Sequence, residues 1–190
     1  MNNQLKKIVV IGPESTGKST LCEQLAQHFQ TLWAPEYARD YLHLHGTDYR
    51  YADLLPIAKG QLSLEDRYAL MAAEQWEHKK EKPTVNPVLF IDTDMYVMKV
   101  WGEFVFGRCH QFVLDHIVQR SYDLYLFCNI DLPWIKDELR EYPDEQPRKE
   151  LFHIYRDLLI NQHVPWVNIT GNYEERLQKG IAAVKEFCLH

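Results

Sequence analysis

Five short apolar runs along the chain have the length and composition of β-strands: 6–11, 30–34, 88–91, 124–128 and 164–169. Most of these runs are continuous rather than alternating, which is typical of strands in a parallel sheet that is buried on both faces. Segments with helical spacing separate them. This order predicts repeated βαβ units, an α/β fold whose parallel sheet is covered by helices on both faces.

Helical spacing of apolar residues is clearest in 18–29 and in 54–80, and a shorter helix is expected between Pro35 and Gly46. The segment 136–150 has charges at most positions and two prolines. Because it offers no apolar face to bury, we expect it to be a mobile surface element.

Composition agrees with one ordinary globular domain, 1–190, because 46% of the residues are hydrophobic and 25% are charged. A formal net charge of -6 argues against a nucleic-acid partner. No apolar stretch approaches the roughly 20 residues of a membrane helix, and the first one is too short for a signal peptide. The four cysteines form no CxxC pair, so neither zinc nor disulfides are indicated. We therefore expect a cytoplasmic protein without a membrane partner.

The stretch GPESTGKST at 12–20 follows the apolar run IVVI and fits the phosphate-binding pattern G-x-x-x-x-G-K-[ST] at full spacing. Glycines let the backbone curl so that successive N–H groups point inward, and the next helix presents its positive N-terminus. Lys18 is expected at the β- and γ-phosphates and Ser19 on Mg²⁺. The predicted nucleotide-binding residues are Gly12, Glu14, Ser15, Thr16, Gly17, Lys18, Ser19 and Thr20.

Asp92 ends the strand VLFI, where P-loop proteins place a second carboxylate that organises magnesium. Ligands of open α/β sheets gather at the carboxyl ends of strands, so Asp92 and the glycine loop should face one crevice. The alternative is a carboxylate that only starts a turn. Asp94, two residues on, is a second candidate for the same role.

The chain lacks the guanine-reading NKxD motif, which weakens the interpretation as a switch GTPase. A small-molecule kinase needs an acceptor pocket, a base and cations that close over the transferring group. Glu36 and Arg39 lie at i,i+3, so they project to one side of a helix. Glu36 is expected either to accept the proton of the acceptor hydroxyl or to hold a ribose hydroxyl; a surface ion pair is the alternative. Arg140 and Arg148 are candidates for a closing lid.

Aromatic residues stand near predicted strand ends or loops, where they either stack on a ring of the acceptor or simply pack. The candidates are Trp33, Tyr37, Tyr96, Trp101 and Trp134.

Together these residues resemble the ribosylnicotinamide kinase domain of NadR-type proteins, a P-loop kinase. The likeness covers nearly the whole chain and rests on GPESTGKST, EYARDY at 36–41, FIDTD at 90–94, and Trp134 followed by Asp137, Leu139, Arg140 and Arg148. The resemblance implies a nucleoside or nucleotide kinase-like fold with a small helical lid at about 133–150.

The resemblance also implies a reaction: ATP and Mg²⁺ phosphorylate the 5′-hydroxyl of nicotinamide riboside, giving nicotinamide mononucleotide for NAD synthesis. It implies catalytic roles for Lys18, Asp92, Glu36, Arg140 and Arg148. Metal would be held by Ser19 and Asp92. The acceptor would be bound by Glu36, Tyr37, Arg39, Asp92 and Asp94.

One departure bears on the substrate. The family has a tryptophan immediately before the glutamate, whereas this chain has Pro35, with Trp33 two residues earlier. Ring recognition would then pass to Tyr37 or another aromatic residue, or the acceptor differs. Two alternatives therefore stay open: a kinase of another nucleoside or small alcohol, and an ATP-binding regulatory switch. The base among Glu36, Asp92 and Asp94 is also open.

Overall fold

The structure, a computed structural model, describes residues 4–78, 87–136 and 144–189. Within them lie five strands, seven α-helices and one 3₁₀ helix at Tyr51–Asp53. The strands are β1 Lys6–Ile11, β2 Trp33–Ala34, β3 Val88–Asp92, β4 Leu124–Cys128 and β5 Trp166–Ile169. The α-helices are α1 Lys18–Phe29, α2 Tyr37–His45, α3 Leu54–Glu77, α4 Met95–Phe106, α5 Gln111–Gln119, α6 Glu145–Ile160 and α7 Tyr173–Cys188.

All strand pairs in the described sheet are parallel, and the order is β2-β3-β1-β4-β5. Alternate side chains of the central strands enter two different cores. Ile8 and Val10 pack with α1 and α7, while Val9 and Ile11 pack with residues of α4 and α6. The predicted α/β fold with helices on both faces is confirmed.

A third apolar cluster lies among the helices α2 to α5, around Leu54, Ile57 and Met98. This cluster supports α2 and α4, which follow the carboxyl ends of β2 and β3. No helix in the described part of the chain is long and apolar enough to cross a membrane.

Two element predictions need correction. The second strand is shorter than 30–34, because Gln30 caps α1 in the left-handed region with φ 52° and Thr31 N–H still bonds to the Ala26 carbonyl. The segment 136–150 does bury a face: α6 begins at Glu145 and buries Arg148. Pro147 lies in the first turn of α6, where a missing N–H costs no intrahelical bond. Residues 137–143 of the expected lid lie outside the described residues.

Candidate active site

The loop between β1 and α1 has the curled backbone that the glycine pattern predicts. Gly12, Ser15 and Gly17 all have positive φ, at 146°, 56° and 75°. A Cβ on Gly12 would lie 2.7 Å from the carbonyl oxygen of Cys128, so the adjacent strand leaves no space for a side chain. Lys18 Nζ donates to the Pro13 carbonyl at 2.9 Å. The Lys18 side chain therefore reaches across the loop that is expected to hold phosphate.

Asp92 meets this loop because β3 pairs with β1 in a register that sets Asp92 beside Val10. Its Oδ2 accepts a hydrogen bond of 2.5 Å from Ser19 Oγ. Its Oδ1 is buried and has no hydrogen-bond partner among the described residues. Burial raises the pKa of this carboxyl, while the Lys18 charge and the Ser19 hydroxyl act in the opposite direction.

A buried carboxylate oxygen without a partner, next to a hydroxyl, fits a magnesium ion, which prefers oxygen ligands. The described residues contain no group of three or more His, Cys, Asp or Glu side chains that could hold a metal alone.

Asp94 has a structural task in addition to its predicted one. Its Oδ1 accepts from the backbone N–H groups of Tyr96 and Val97, at 3.0 and 3.3 Å, and caps α4. Its Oδ2 accepts from the Tyr125 hydroxyl at 2.8 Å. Burial raises the pKa of Asp94 to about 7. Both carboxylate oxygens therefore already have protein partners. A role of Asp94 in acceptor binding remains a prediction.

One cavity of about 210 Å³ joins the glycine loop to helices α2, α4 and α6. Residues 12–20 line it at one side, so all eight predicted nucleotide-binding residues lie there. Glu36 and Arg39 line it as well, and Arg39 Nε lies 3.6 Å from Glu36 Oε2. Glu36, the N-cap of α2, and Arg39 in its first turn thus lie on one side, and their role in acceptor binding stays a prediction.

The far wall of the cavity is apolar and aromatic. Helix α4 contributes Val97, Trp101 and Phe104, and the loop after α2 contributes Tyr49. Trp101 Nε1 donates to the Tyr49 hydroxyl at 2.9 Å, and the two rings meet edge to face with centroids 4.9 Å apart. Trp101 was among the aromatic candidates predicted from the sequence, whereas Tyr49 and Phe104 were not. Spacing of i, i+4 and i+7 from Val97 marks the α4 residues, whereas nothing in the sequence marks Tyr49.

Tyr37 and Arg148, like Asp92 and Asp94, are not among the residues that line the cavity. The Tyr37 ring lies against Gly60 of α3, and its backbone N–H donates to Gln61 Oε1 at 2.7 Å. Arg148 Nη2 donates to the Leu132 carbonyl at 3.3 Å. Arg140 lies outside the described residues. Their roles remain predictions.

Trp134 connects the start of the expected lid with the glycine loop. Its Nε1 donates to Glu14 Oε1 at 3.5 Å, and the next residue, Ile135, donates its N–H to Ser15 Oγ at 2.9 Å. The lid segment thus begins in contact with the loop expected to bind phosphate.

Comparisons of the sequence with known proteins identify relatives of this chain. Residues 7–176 match the model of the family described as AAA domain. The chain is 31% identical to the trifunctional NAD biosynthesis/regulator protein NadR of Escherichia coli (strain K12) over 187 residues, 96% of this chain and 42% of that protein. It therefore spans about two fifths of the length of this relative.

Solved structures of NadR proteins are also similar to this chain. A NadR protein in complex with NR matches with a TM-score of 0.72 and 25% identity, and one in complex with NAD and AMP-PNP with 0.70 and 26%. Each match covers 96% of this chain and 49% of the other. Thymidylate kinase from Ehrlichia chaffeensis shares the fold, with a TM-score of 0.61, 12% identity, and coverage of 95% of this chain and 98% of that one. The predicted kinase-like P-loop fold is confirmed.

Proposed function

Because the chain belongs to the AAA domain family and is similar to NadR along nearly its whole length, we propose that it is a nicotinamide riboside kinase. It would use ATP and Mg²⁺ to phosphorylate the 5′-hydroxyl of nicotinamide riboside, giving nicotinamide mononucleotide for NAD synthesis. The observation that carries the proposal is the cavity that joins the glycine loop, the Glu36–Arg39 pair and an aromatic wall. Its lining, with a phosphate-type loop at one side and a polar pair and aromatic rings at the other, suits a nucleoside beside a triphosphate.

The phosphate end supplies binding and charge neutralisation. In the proposed complex, the loop N–H groups and Lys18 hold the β- and γ-phosphates, and Ser19 and Asp92 hold Mg²⁺. The ion, when bound, neutralises negative charge on the phosphate oxygens. Arg148 and Arg140 are proposed to add positive charge when the lid closes.

The acceptor end supplies orientation and a base. The 5′-oxygen forms a bond to the γ-phosphorus while the bond from that phosphorus to the β,γ-bridging oxygen breaks, releasing ADP. The hydroxyl proton passes to a carboxylate, for which Glu36 is the cavity-lining candidate. Arg39, held beside Glu36, opposes the developing negative charge.

The aromatic wall supports a flat ring on the acceptor. Trp101 and Tyr49 present π surfaces and edges, and such rings bind planar heterocycles well. Pro35 offers no aromatic ring where the family has a tryptophan, so recognition would depend on this pair. Pro35 is also the specific observation that favours the second candidate, a kinase of another nucleoside.

The deciding experiment measures ADP release by the purified protein with ATP and Mg²⁺, with and without nicotinamide riboside, and reads the product mass in the same reaction. Acceptor-dependent ADP release with a mass equal to nicotinamide mononucleotide is the expected result. Thymidine, uridine and thiamine serve as competing acceptors at equal concentration.

Each other outcome points to a different function. Faster turnover of one of the competing acceptors would replace nicotinamide riboside with that substrate class. ATP hydrolysis that no acceptor accelerates, together with a stable protein complex recovered from cell extract, would favour the regulatory switch and overturn the kinase.

A further inference from the structure

Arg176 of α7 is a buried arginine that binds the glycine loop and two neighbouring loops, and it does not line the cavity. Only 2% of the residue is exposed. Its Nη1 donates to the Thr16 carbonyl at 2.8 Å, its Nη2 to the Asn129 carbonyl at 2.9 Å, and its Nε to the Gly171 carbonyl at 2.7 Å. One guanidinium thus joins three loops at the carboxyl edge of the sheet.

The charge of Arg176 is balanced by Asp131, whose Oδ1 accepts from Nη2. The other oxygen of Asp131 accepts from the Gly171 N–H at 2.6 Å. Ion pairing alone explains why the buried charge is tolerated. It does not explain why the guanidinium also donates to three backbone carbonyls, which together fix its position and plane.

The bond to Thr16 constrains the peptide unit that follows. The peptides of the described residues are all trans, so the Gly17 N–H points opposite to the Thr16 carbonyl. Arg176 does not line the cavity, whereas Thr16 and Gly17 do. A carbonyl held toward Arg176 therefore turns the Gly17 N–H toward the cavity. Gly17 has φ 75°, and a glycine is free to let this peptide rotate unless something holds it.

We propose that Arg176 is a positioning residue for the nucleotide: by holding the Thr16 carbonyl, it keeps the Gly17 N–H directed at the phosphate. It acts through the peptide and does not touch the ligand. The proposal rests on the proposed function to the extent that the loop binds a nucleoside triphosphate.

The experiment compares Arg176→Met and Arg176→Lys with the wild type and with Lys179→Met. Lys179 is the matched control, because it also anchors α7 to the loop before it, through the Thr170 carbonyl at 2.9 Å, but makes no bond to the glycine loop. Calorimetry gives dissociation constants for MgATP and MgADP at a temperature where circular dichroism shows each variant folded. Steady-state kinetics gives KM for ATP and for the acceptor.

We expect Arg176→Met to raise the dissociation constants and the KM for ATP tenfold or more, with the KM for the acceptor changed less than twofold. Arg176→Lys keeps the charge but has three N–H donors on one nitrogen for the three carbonyls and Asp131, so it should lose at least fivefold. Lys179→Met should stay within twofold of the wild type.

The outcomes separate the two proposals. A wild-type protein that binds no nucleotide would overturn the proposed function and, with it, the role of Arg176. Tight binding by the wild type and unchanged binding by Arg176→Met would overturn the role of Arg176 alone. So would an equal loss in Lys179→Met, or wild-type affinity in Arg176→Lys, which would leave charge as the sole contribution. If Arg176→Met does not fold, the lysine variant decides.

Discussion

Lys18 and Ser19 are consecutive at the start of α1, yet their side chains bind different partners. Lys18 reaches the Pro13 carbonyl across the loop, while Ser19 turns to Asp92 on the neighbouring strand. The helix places successive residues about 100° apart, so adjacent side chains diverge. One short motif can therefore supply both a cation for phosphate and a ligand for metal.

Replacing Lys18 with alanine removes the cation that we expect on the β- and γ-phosphates. Acceptor-dependent ADP release should fall by a factor of about 10² or more, because charge stabilisation of this kind contributes roughly 3 kcal/mol. Thermal unfolding should change less than activity, since the hydrogen bond of the side chain is to the loop itself, although its charge also favours the ionised form of buried Asp92. Unchanged phosphoryl transfer by Lys18→Ala would refute the mechanism.

Asp94 predicts a pH dependence of stability. Folding raises its pKa from 3.8 to about 7 through burial, so the native chain retains a proton that the unfolded chain has released above about pH 4. Its contribution to stability is full below pH 3.8 and is lost as the pH rises through 7. Asp94→Asn keeps an oxygen to cap α4 but does not titrate.

Relative to Asp94→Asn, the wild-type free energy of unfolding should therefore fall between pH 4 and pH 7, on the order of 3 kcal/mol in total. Denaturant titrations at several pH values measure this difference. Asp157→Asn, at an exposed position on α6, is the control and should run parallel to the wild type. If the Asp94→Asn curve of unfolding free energy against pH also runs parallel to that of the wild type, burial does not shift the pKa of Asp94.

At the scale of elements, the order of the strands and the glycine loop were predictable because they depend on local pattern, although β2 is shorter than predicted. The 24-residue helix α3 was also predictable, since its apolar spacing is sustained. The start of α6 was not, because a first turn with Pro147 and several charges reads as surface until Arg148 is seen to be buried. Tyr49 and Arg176 were not predicted either, because their hydrogen-bond partners, Trp101 and Thr16, are distant in sequence.

Helices α2 and α3 give a test of how tightly the acceptor side is packed. A Cβ on Gly60 would lie 2.0 Å from Cε1 of the Tyr37 ring. Gly60→Ala raises helix propensity by about 1 kcal/mol, but the clash should reverse the sign and lower the free energy of unfolding by about 1 to 3 kcal/mol.

Because Tyr37 follows Glu36, we also expect Gly60→Ala to raise the KM for the acceptor. Chemical denaturation and steady-state kinetics measure the two effects. Ser63→Ala, at an exposed position on the same helix, should be neutral in both. A more stable Gly60→Ala variant would mean that Tyr37 moves without cost.

At the scale of the whole molecule, a buried charge network ties the sheet to α3 at the edge remote from the glycine loop. Glu65, with no exposed side-chain surface, accepts from Lys7 Nζ at 2.9 Å, from Arg120 Nη1 at 3.0 Å and from the Tyr122 hydroxyl at 3.0 Å. Lys7 lies at the start of β1, and Arg120 and Tyr122 precede β4. The network therefore contributes to stability rather than to the reaction.

Glu65→Gln leaves two cations facing a neutral amide, so the free energy of unfolding should fall by roughly 2 to 4 kcal/mol. The kcat of the folded enzyme should be unchanged. Asp66→Asn is the control: it faces the same arginine, but its side chain is 57% exposed, and it should cost less than about 1 kcal/mol. A large loss of kcat in Glu65→Gln, with the chain folded, would show that the two edges of the sheet are coupled.

The strand order β2-β3-β1-β4-β5 also has a consequence for how such proteins diversify. Apart from Leu151 and Tyr155, the cavity residues outside the glycine loop come from one uninterrupted stretch, 36–105, which enters and leaves the sheet on one side of β1. The loop and the arginine that fixes it are encoded on either side of that stretch. Recombination or drift within a single block of the gene can thus exchange one acceptor for another while the glycine loop and Arg176 are inherited intact, provided that Asp92, which lies inside the block, is kept.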